Sequence, residues 1–165
     1  MSQSQKRGAK AAREARGGGA FLPFRMDVLR SPKLANLSPY ACKLLLDIAS
    51  QWRLGNNGDA STAFEKMMRP RGWRSKATLQ NAIEELLASG LIIKTRQGGL
   101  HQCSLYGLGW LAIDECGGKL ELRATKRPLN HWLEPITPKF KAPSTPNVPQ
   151  PIKNVDLGTP RVLDG

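Results

Sequence analysis

The apolar positions between residues 38 and 52 repeat with the period of one helix face. They are Ala41, Leu44, Leu45, Ile48 and Trp52. Ser38 followed by Pro39 is typical of a helix start, because serine caps the first turn and proline fits its first position. We therefore predict a helix from Ser38 to about Trp52, with the turn-forming residues 55–58 ending it.

A second apolar stripe lies between residues 76 and 89. Its members are Leu79, Ala82, Ile83, Leu86 and Leu87. Ser75 is placed to cap this segment and Gly90 to end it, so we predict a long helix over Lys76–Ser89. A short helix is predicted around Thr62–Met68, and residues 69–72 break it with proline and glycine. Two helices joined by a tight turn that contains glycine form the helix-turn-helix pattern.

The residues after the long helix alternate as β-strands do. Residues 91–96 are rich in β-branched and apolar side chains, Gly98-Gly99 indicates a hairpin turn, and Leu100–Leu108 returns as a second strand. Leu120 and Leu122 alternate with charged residues, so residues 119–125 are a candidate third strand. A hairpin directly after a helix-turn-helix is a wing. We predict an α+β fold, a winged helix-turn-helix with three helices and a β-hairpin wing.

The two ends of the chain have a different composition. Residues 1–20 are basic and end in glycines, so we expect a disordered basic arm. Residues 134–165 hold prolines 135, 138, 143, 146, 149, 151 and 160, which favours an extended, disordered tail. Such a tail also suits a Pro-binding protein partner, and composition alone leaves both readings open. The winged helix-turn-helix domain is predicted to span residues 21–133.

Three segments carry a resemblance to a known family. They are SKATLQNAIEELLASGLIIKTRQGG, the preceding LSPYACKLLLDIASQW with NNGDAS, and the later CSLYGLGWLAID. Together they resemble bacterial winged helix-turn-helix proteins of plasmids, phages and integrated mobile elements, over roughly residues 21–133. The resemblance implies the fold and DNA binding. It implies neither the target sequence nor the pathway.

The net charge favours a polyanionic partner. The chain carries 25 Lys and Arg against 13 Asp and Glu, a formal charge of +12, with an isoelectric point near 10.1. A field of this sign attracts DNA without any specific contact, and salt weakens that attraction steeply. No apolar run is long enough to span a membrane, and the first residues do not form a secretory signal. We expect a cytoplasmic bacterial protein associated with the nucleoid.

The polar side of the long helix supplies the candidate DNA contacts. With Leu79 facing the core, a step of 100° per residue places Ala77, Asn81 and Glu84 on the opposite side. The predicted base contacts are Arg74, Ala77, Thr78, Gln80 and Asn81. The predicted contacts to the DNA backbone, including those from the wing, are Arg69, Arg71, Lys76, Lys94, Arg96 and His101. The predicted contacts from the arm are Lys6, Arg7, Lys10, Arg13 and Arg16. Trp73 is expected in the core.

The sequence shows no pattern typical of catalysis or of metal binding. Cys42, Cys103 and Cys116 are too scattered for a zinc site and suit reduced thiols, with Cys42 and Cys103 as small buried side chains. We therefore expect no enzyme activity, cofactor or metal.

The predicted function is sequence-selective binding of double-stranded DNA, in transcriptional regulation or in replication or maintenance of a mobile element. Two alternatives stay open. One is a protein-interaction winged helix that uses Glu84 and Glu85, and the other is a basic protein that coats nucleic acid without selectivity. Homodimer formation is open as well.

Overall fold

The computed structural model describes residues 3–15, 17 and 21–135. Its helices are α1 (Gln3–Ala15), α2 (Met26–Leu29), α3 (Pro32–Ala35), α4 (Pro39–Ala49) and α5 (Lys76–Ser89). Its strands are β1 (Ala60–Ser61), β2 (Ile92–Arg96) and β3 (Leu105–Leu108). A π-helical turn, Phe64–Met68, and a 3₁₀ turn, Arg69–Arg71, lie between β1 and α5. The architecture is mixed α+β, with helices beside a small three-stranded antiparallel sheet.

The two main helices begin where their capping residues predict. The Ser38 hydroxyl accepts the Ala41 N–H at 3.2 Å, and the Ser75 hydroxyl accepts the Thr78 N–H at 3.3 Å. Helix α5 has the predicted bounds. Helix α4 ends at Ala49, before the predicted Trp52, although Trp52 still packs against the core.

Gly90 ends α5 in a conformation that only glycine adopts at low cost. Its φ is +74°, and a Cβ at this position would lie 2.6 Å from the backbone of His131 and Trp132. The close approach therefore joins the end of α5 to the segment near residue 131. Neither the strain nor the contact can be relieved by a side-chain rotation.

Replacing Gly90 with alanine should lower the free energy of unfolding by about 1–3 kcal/mol, because a strained φ and a backbone overlap add together. Urea unfolding measures the change. Gly72→Ala is a control for backbone strain alone, since Gly72 has a φ of +86° but no atom would contact its added Cβ. Gly99→Ala introduces neither the strain nor an overlap. A Gly90→Ala variant no less stable than Gly72→Ala would contradict the role of the overlap.

The sheet has the order β1-β3-β2, with both pairs antiparallel. The predicted hairpin is present, but its second strand starts at Leu105 rather than Leu100. Residues 97–104 form the connecting loop, in which Gly99 and Gln102 exchange backbone hydrogen bonds of 2.9 and 3.3 Å. The tip of this hairpin loop is therefore a tight turn made by Leu100 and His101.

The predicted third strand over residues 119–125 is wrong. That segment forms no strand, and the backbone N–H groups of Glu121 and Leu122 both donate to the Thr95 carbonyl at 3.0 Å. The third strand is β1, whose two residues follow the turn at residues 55–58. On its far side from β3, the Gln51 side chain accepts the Ser61 N–H and donates to the Ser61 carbonyl, each at 3.0 Å.

The first residues differ from the predicted disordered arm, because Gln3–Ala15 form α1. Alanine, lysine, arginine, glutamine and glutamate all have high helix propensity, and the glycines that suggested disorder lie mostly beyond this segment. Charge and glycine content outweighed helix propensity in that prediction. The Pro-rich tail is predicted over residues 134–165, and residues 136–165 lie outside the described part of the chain.

The core lies between α4, α5 and the hairpin. The α5 stripe is buried at Leu79, Ala82, Ile83 and Leu86 and half-buried at Leu87. Trp110 is 1 % exposed, packs on Phe24 with ring centroids 4.6 Å apart, and donates its indole N–H to the Pro23 carbonyl at 3.2 Å. These contacts join the segment before α2 to the residues that follow β3. Among the described helices, none has the length and apolar character needed to cross a membrane.

Candidate nucleic-acid interface

The outer face of α5 lies open, as its helical periodicity predicts. Arg74, Ala77, Gln80 and Asn81 are exposed, and Thr78 is half-buried. The Gln80 side chain donates to the Glu84 carboxylate at 2.8 Å, one helical turn along. The structure therefore places four of the five predicted base contacts in the N-terminal half of α5, with Arg74 just before the capping residue Ser75. Side chains at this end are the ones that a helix in the major groove presents to base edges.

Asp47 of α4 holds the turn that leads into α5. Trp73 is 4 % exposed, in agreement with its predicted core position, and its indole N–H donates to Asp47 Oδ2 at 2.7 Å. Lys43 Nζ lies 2.7 Å from Asp47 Oδ2, and a guanidinium nitrogen of Arg71 lies 3.4 Å from Oδ1. One carboxylate thus connects α4 to the residue before Gly72 and the residue after it.

The pKa of Asp47 reports the strength of this connection. Burial raises the pKa of the carboxyl. Hydrogen bonds from Lys43 and Trp73 and the positive charge of Lys43 lower it by more, and Arg71 adds to their effect. The pKa of Asp47 therefore lies below its ordinary value of 3.8.

Arg69 and Lys76 both lie near the Phe64 ring. Each cationic group lies 5.6 Å from the ring centroid. Arg69 is 3.1 Å and Lys76 is 3.9 Å from the Glu65 carboxylate. Both side chains are well exposed, so their ion pairs with Glu65 are weak and exchange readily for a stronger anion. Arg71 is less free because of its contact with Asp47.

The hairpin presents two of its three predicted contacts. Lys94 and His101 are exposed, and Lys94 donates to the Gln97 side chain at 3.0 Å. Arg96 is half-buried instead, with its guanidinium donating to the carbonyls of Cys103 at 3.0 Å and Lys119 at 3.4 Å. Arg96 therefore holds the hairpin against the loop near Lys119. Its alternation with Lys94 along the strand suggested an exposed position and concealed this role.

The described basic side chains of α1 are open to solvent. Arg7 and Lys10 are exposed, and Lys10 lies 3.9 Å from the Glu14 carboxylate. The side chains of Lys6 and Arg13, and the whole of Arg16, lie outside what the structure describes. Helix α1 therefore shows cationic groups on a regular helix rather than on an extended strand of chain.

Glu85 has an internal role that sequence reasoning missed. Its two carboxylate oxygens accept the Ser38 backbone N–H and the Ser38 hydroxyl, each at 2.6 Å, so it helps to cap α4 from a neighbouring helix. Only Glu84 of the adjacent pair lies on the open face. The alternative that places both carboxylates in a protein interface is corrected for Glu85.

Tyr40 and Lys43 of α4 also lie beside the start of α5, and sequence reasoning missed both. Tyr40 is 58 % exposed, with its ring centroid 6.1 Å from that of Trp73. Lys43 Nζ lies 5.1 Å from the centroid of the same ring. Their spacing of three residues on the polar side of α4 was the available indication, but it does not show which helix end they approach.

The described residues contain no group of three or more His, Cys, Asp and Glu side chains placed to hold a metal ion. All three cysteines are free thiols. Burial raises the pKa of the Cys42 and Cys116 thiols. Cys42 is half-buried, whereas Cys103 is exposed, which makes the prediction of a buried Cys103 wrong.

Comparison with family models, with curated proteins and with solved structures found no match to this chain.

Proposed function

We propose that the chain is a winged helix-turn-helix protein that binds double-stranded DNA selectively, with α5 in the major groove and the hairpin along the backbone. The observation that carries this proposal is the open polar face of α5, held by a buried opposite face and flanked by exposed cations. The element order supports it: a helix, a short strand, a turn of helix, a long helix and a hairpin. The net charge of +12 supports attraction to DNA.

The side chains on the α5 face match the chemistry of base edges. Gln80 and Asn81 carry amides that pair with adenine in two hydrogen bonds, and Ala77 suits the methyl group of thymine. Thr78 offers a hydroxyl to either type of base. Arg74 lies at the edge of this face, where guanine and a phosphate are both within its chemistry.

The flanking cations suit phosphate rather than bases. Three of these cations are exposed, and solvent weakens the ion pairs and the hydrogen bond that they form within the chain. They are Arg69, Lys76 and Lys94. Arg71 joins them only by weakening its contact with Asp47. His101 at the hairpin tip and the basic residues of α1 are further candidates for the backbone or the minor groove.

Transcriptional regulation and replication or maintenance of a mobile element share this one binding chemistry. Selection of bound duplexes from a random pool is the direct experiment, because it tests binding and identifies the target together. Selective binding predicts enrichment of a limited set of sequences. Binding that every competitor removes equally would instead show non-selective coating of nucleic acid. If the protein retained no duplex at all, the proposal would be contradicted.

Replacing Asn81 with alanine should change which sequences are selected and cost about 1–3 kcal/mol at the affected base pair. Asn36→Ala is the matched control, since Asn36 is an exposed asparagine that is not part of α5. Lys94→Ala should instead weaken all sequences alike and reduce the slope of log K against log salt by about 1. An unchanged selection profile for Asn81→Ala would show that α5 is docked differently.

A further inference from the structure

A cleft of about 380 Å³ opens between α4 and the residues that enter α5. Its walls include Tyr40 and Lys43 on one side and Trp73, Arg74 and Thr78 on the other. The cleft lies directly beside the open face of α5, because Arg74 and Thr78 belong to both. An extended polymer lying along that face would pass its mouth.

The cleft contains hydrogen-bond donors that have no partner, or have a free proton, within the fold. Within the described residues, neither the Tyr40 hydroxyl nor the Arg74 guanidinium has a hydrogen-bond or ion-pair partner. Lys43 Nζ donates to Asp47 Oδ2 at 2.7 Å and to the Arg71 carbonyl at 2.9 Å, which leaves one of its three protons.

The charge at this place is positive. Lys43 and Arg74 line the cleft and Arg71 adjoins it, whereas Asp47 is the carboxylate that contacts this group. Asp47 is buried and already accepts from Trp73, Lys43 and Arg71, so its charge is largely neutralised where it sits. An anion that enters the cleft therefore meets unpaired donors and a net positive field.

We propose that this cleft binds one phosphate of the DNA backbone, with Tyr40, Lys43 and Arg74 as its donors. The inference rests on the proposed function and assigns Arg74 to a phosphate rather than to guanine. A phosphodiester fits because its two free oxygens accept several hydrogen bonds and its two ester links continue out through an open mouth. Such a contact would fix the register of α5 in the groove without selecting any base.

Tyr40→Phe tests the proposal with the least disturbance, since it removes one hydroxyl and keeps the ring beside Trp73. We expect about a tenfold weaker affinity for a selected duplex, the same for every sequence, because a hydrogen bond to a charged group is lost. The order of preferred sequences should not change. Thermal unfolding of the variant serves as the folding control, and Asn81→Ala provides the contrast, with altered preference.

Methylphosphonate substitution locates the phosphate on the DNA. Replacing single phosphates by this uncharged group should reveal one position that weakens binding to the natural chain and has little further effect on Tyr40→Phe. That non-additivity identifies the pair in contact. Two results would overturn the assignment of a phosphate to this cleft while leaving the proposed function in place. One is full additivity of the two changes at every phosphate position, and the other is an affinity of Tyr40→Phe for duplex equal to that of the natural chain. No duplex binding by the natural chain would overturn both.

Inorganic phosphate separates the polymer from a free anion as the source of the group. We expect ³¹P line broadening with the natural chain only at concentrations far above those at which it binds duplex. Saturation of the cleft by submillimolar inorganic phosphate, lost in Tyr40→Phe, would show a site for a free anion and overturn the assignment to DNA.

Discussion

Replacing Asn57 with alanine is expected to lower the free energy of unfolding by about 3–5 kcal/mol, because several buried backbone groups lose their partner at once. Asn57 is 3 % exposed. Its amide nitrogen lies 3.1, 3.3 and 2.9 Å from the carbonyl oxygens of Leu108, Leu111 and Ala112. Its side-chain oxygen accepts the Leu108 N–H at 2.7 Å. One side chain thus joins the turn before β1 to the end of β3.

Urea unfolding of Asn57→Ala beside Asn56→Ala checks this expectation. Asn56 is the adjacent asparagine of the same turn, but it is only half-buried and its amide donates to the Gln51 carbonyl at 3.0 Å. Asn56→Ala should therefore cost less than about 1.5 kcal/mol. Equal losses for the two variants would mean that turn formation, rather than the buried contacts of Asn57, sets the stability here.

Asp47→Ala is expected to lower the free energy of unfolding by about 2–4 kcal/mol at pH 7. The change leaves the buried indole N–H of Trp73 without its acceptor and leaves Lys43 and Arg71 as neighbouring cations without their anion. The loss stays below that of a fully buried ion pair because both cations are partly exposed. The entry into α5 should loosen as well, so the proposed selective DNA binding should weaken together with stability.

The pH dependence separates this contact from general packing. Because the folded pKa of Asp47 lies below its ordinary value, the carboxylate stabilises the fold above about pH 4, and that contribution is lost as pH falls through the lowered pKa. The stability difference between the natural chain and Asp47→Asn should therefore shrink between pH 7 and pH 2. Glu84→Gln, which changes an exposed carboxylate, serves as the control. A difference that stays constant over this range would rule out the charge of Asp47 as the stabilising agent.

Periodicity and capping residues predicted the helices that matter most for the site. Ser75, the apolar stripe and Gly90 define α5 from local information, because each acts within one or two turns of its own position. Asn57 is a residue whose role cannot be predicted from the local sequence pattern. Beside three other turn formers it indicates a turn, and its contacts with residues 108–112 depend on a fold that the local pattern does not contain.

The candidate interface divides in the same way. The open face of α5 follows from the position of its buried face, so the four predicted base contacts within this helix lie together, and Arg74 precedes them by chain position. Arg96 and Glu85 were misplaced because their partners lie elsewhere in the chain. Arg96 binds the carbonyls of residues 103 and 119, and Glu85 binds the backbone N–H and hydroxyl of Ser38. Tyr40 and Lys43 enter only when α4 and α5 are seen side by side.

At both edges of the small sheet, backbone groups form hydrogen bonds with side chains or loop residues rather than with a further strand. The Gln51 amide occupies the outer N–H and carbonyl of Ser61, and the N–H groups of Glu121 and Leu122 occupy the Thr95 carbonyl on the opposite strand. Exposed strand edges are where β proteins recruit a neighbour and begin to form fibres. With those hydrogen-bonding positions taken, neighbouring copies of this chain have little opportunity to pair through the edges of their sheets, and any association between copies depends on other surfaces.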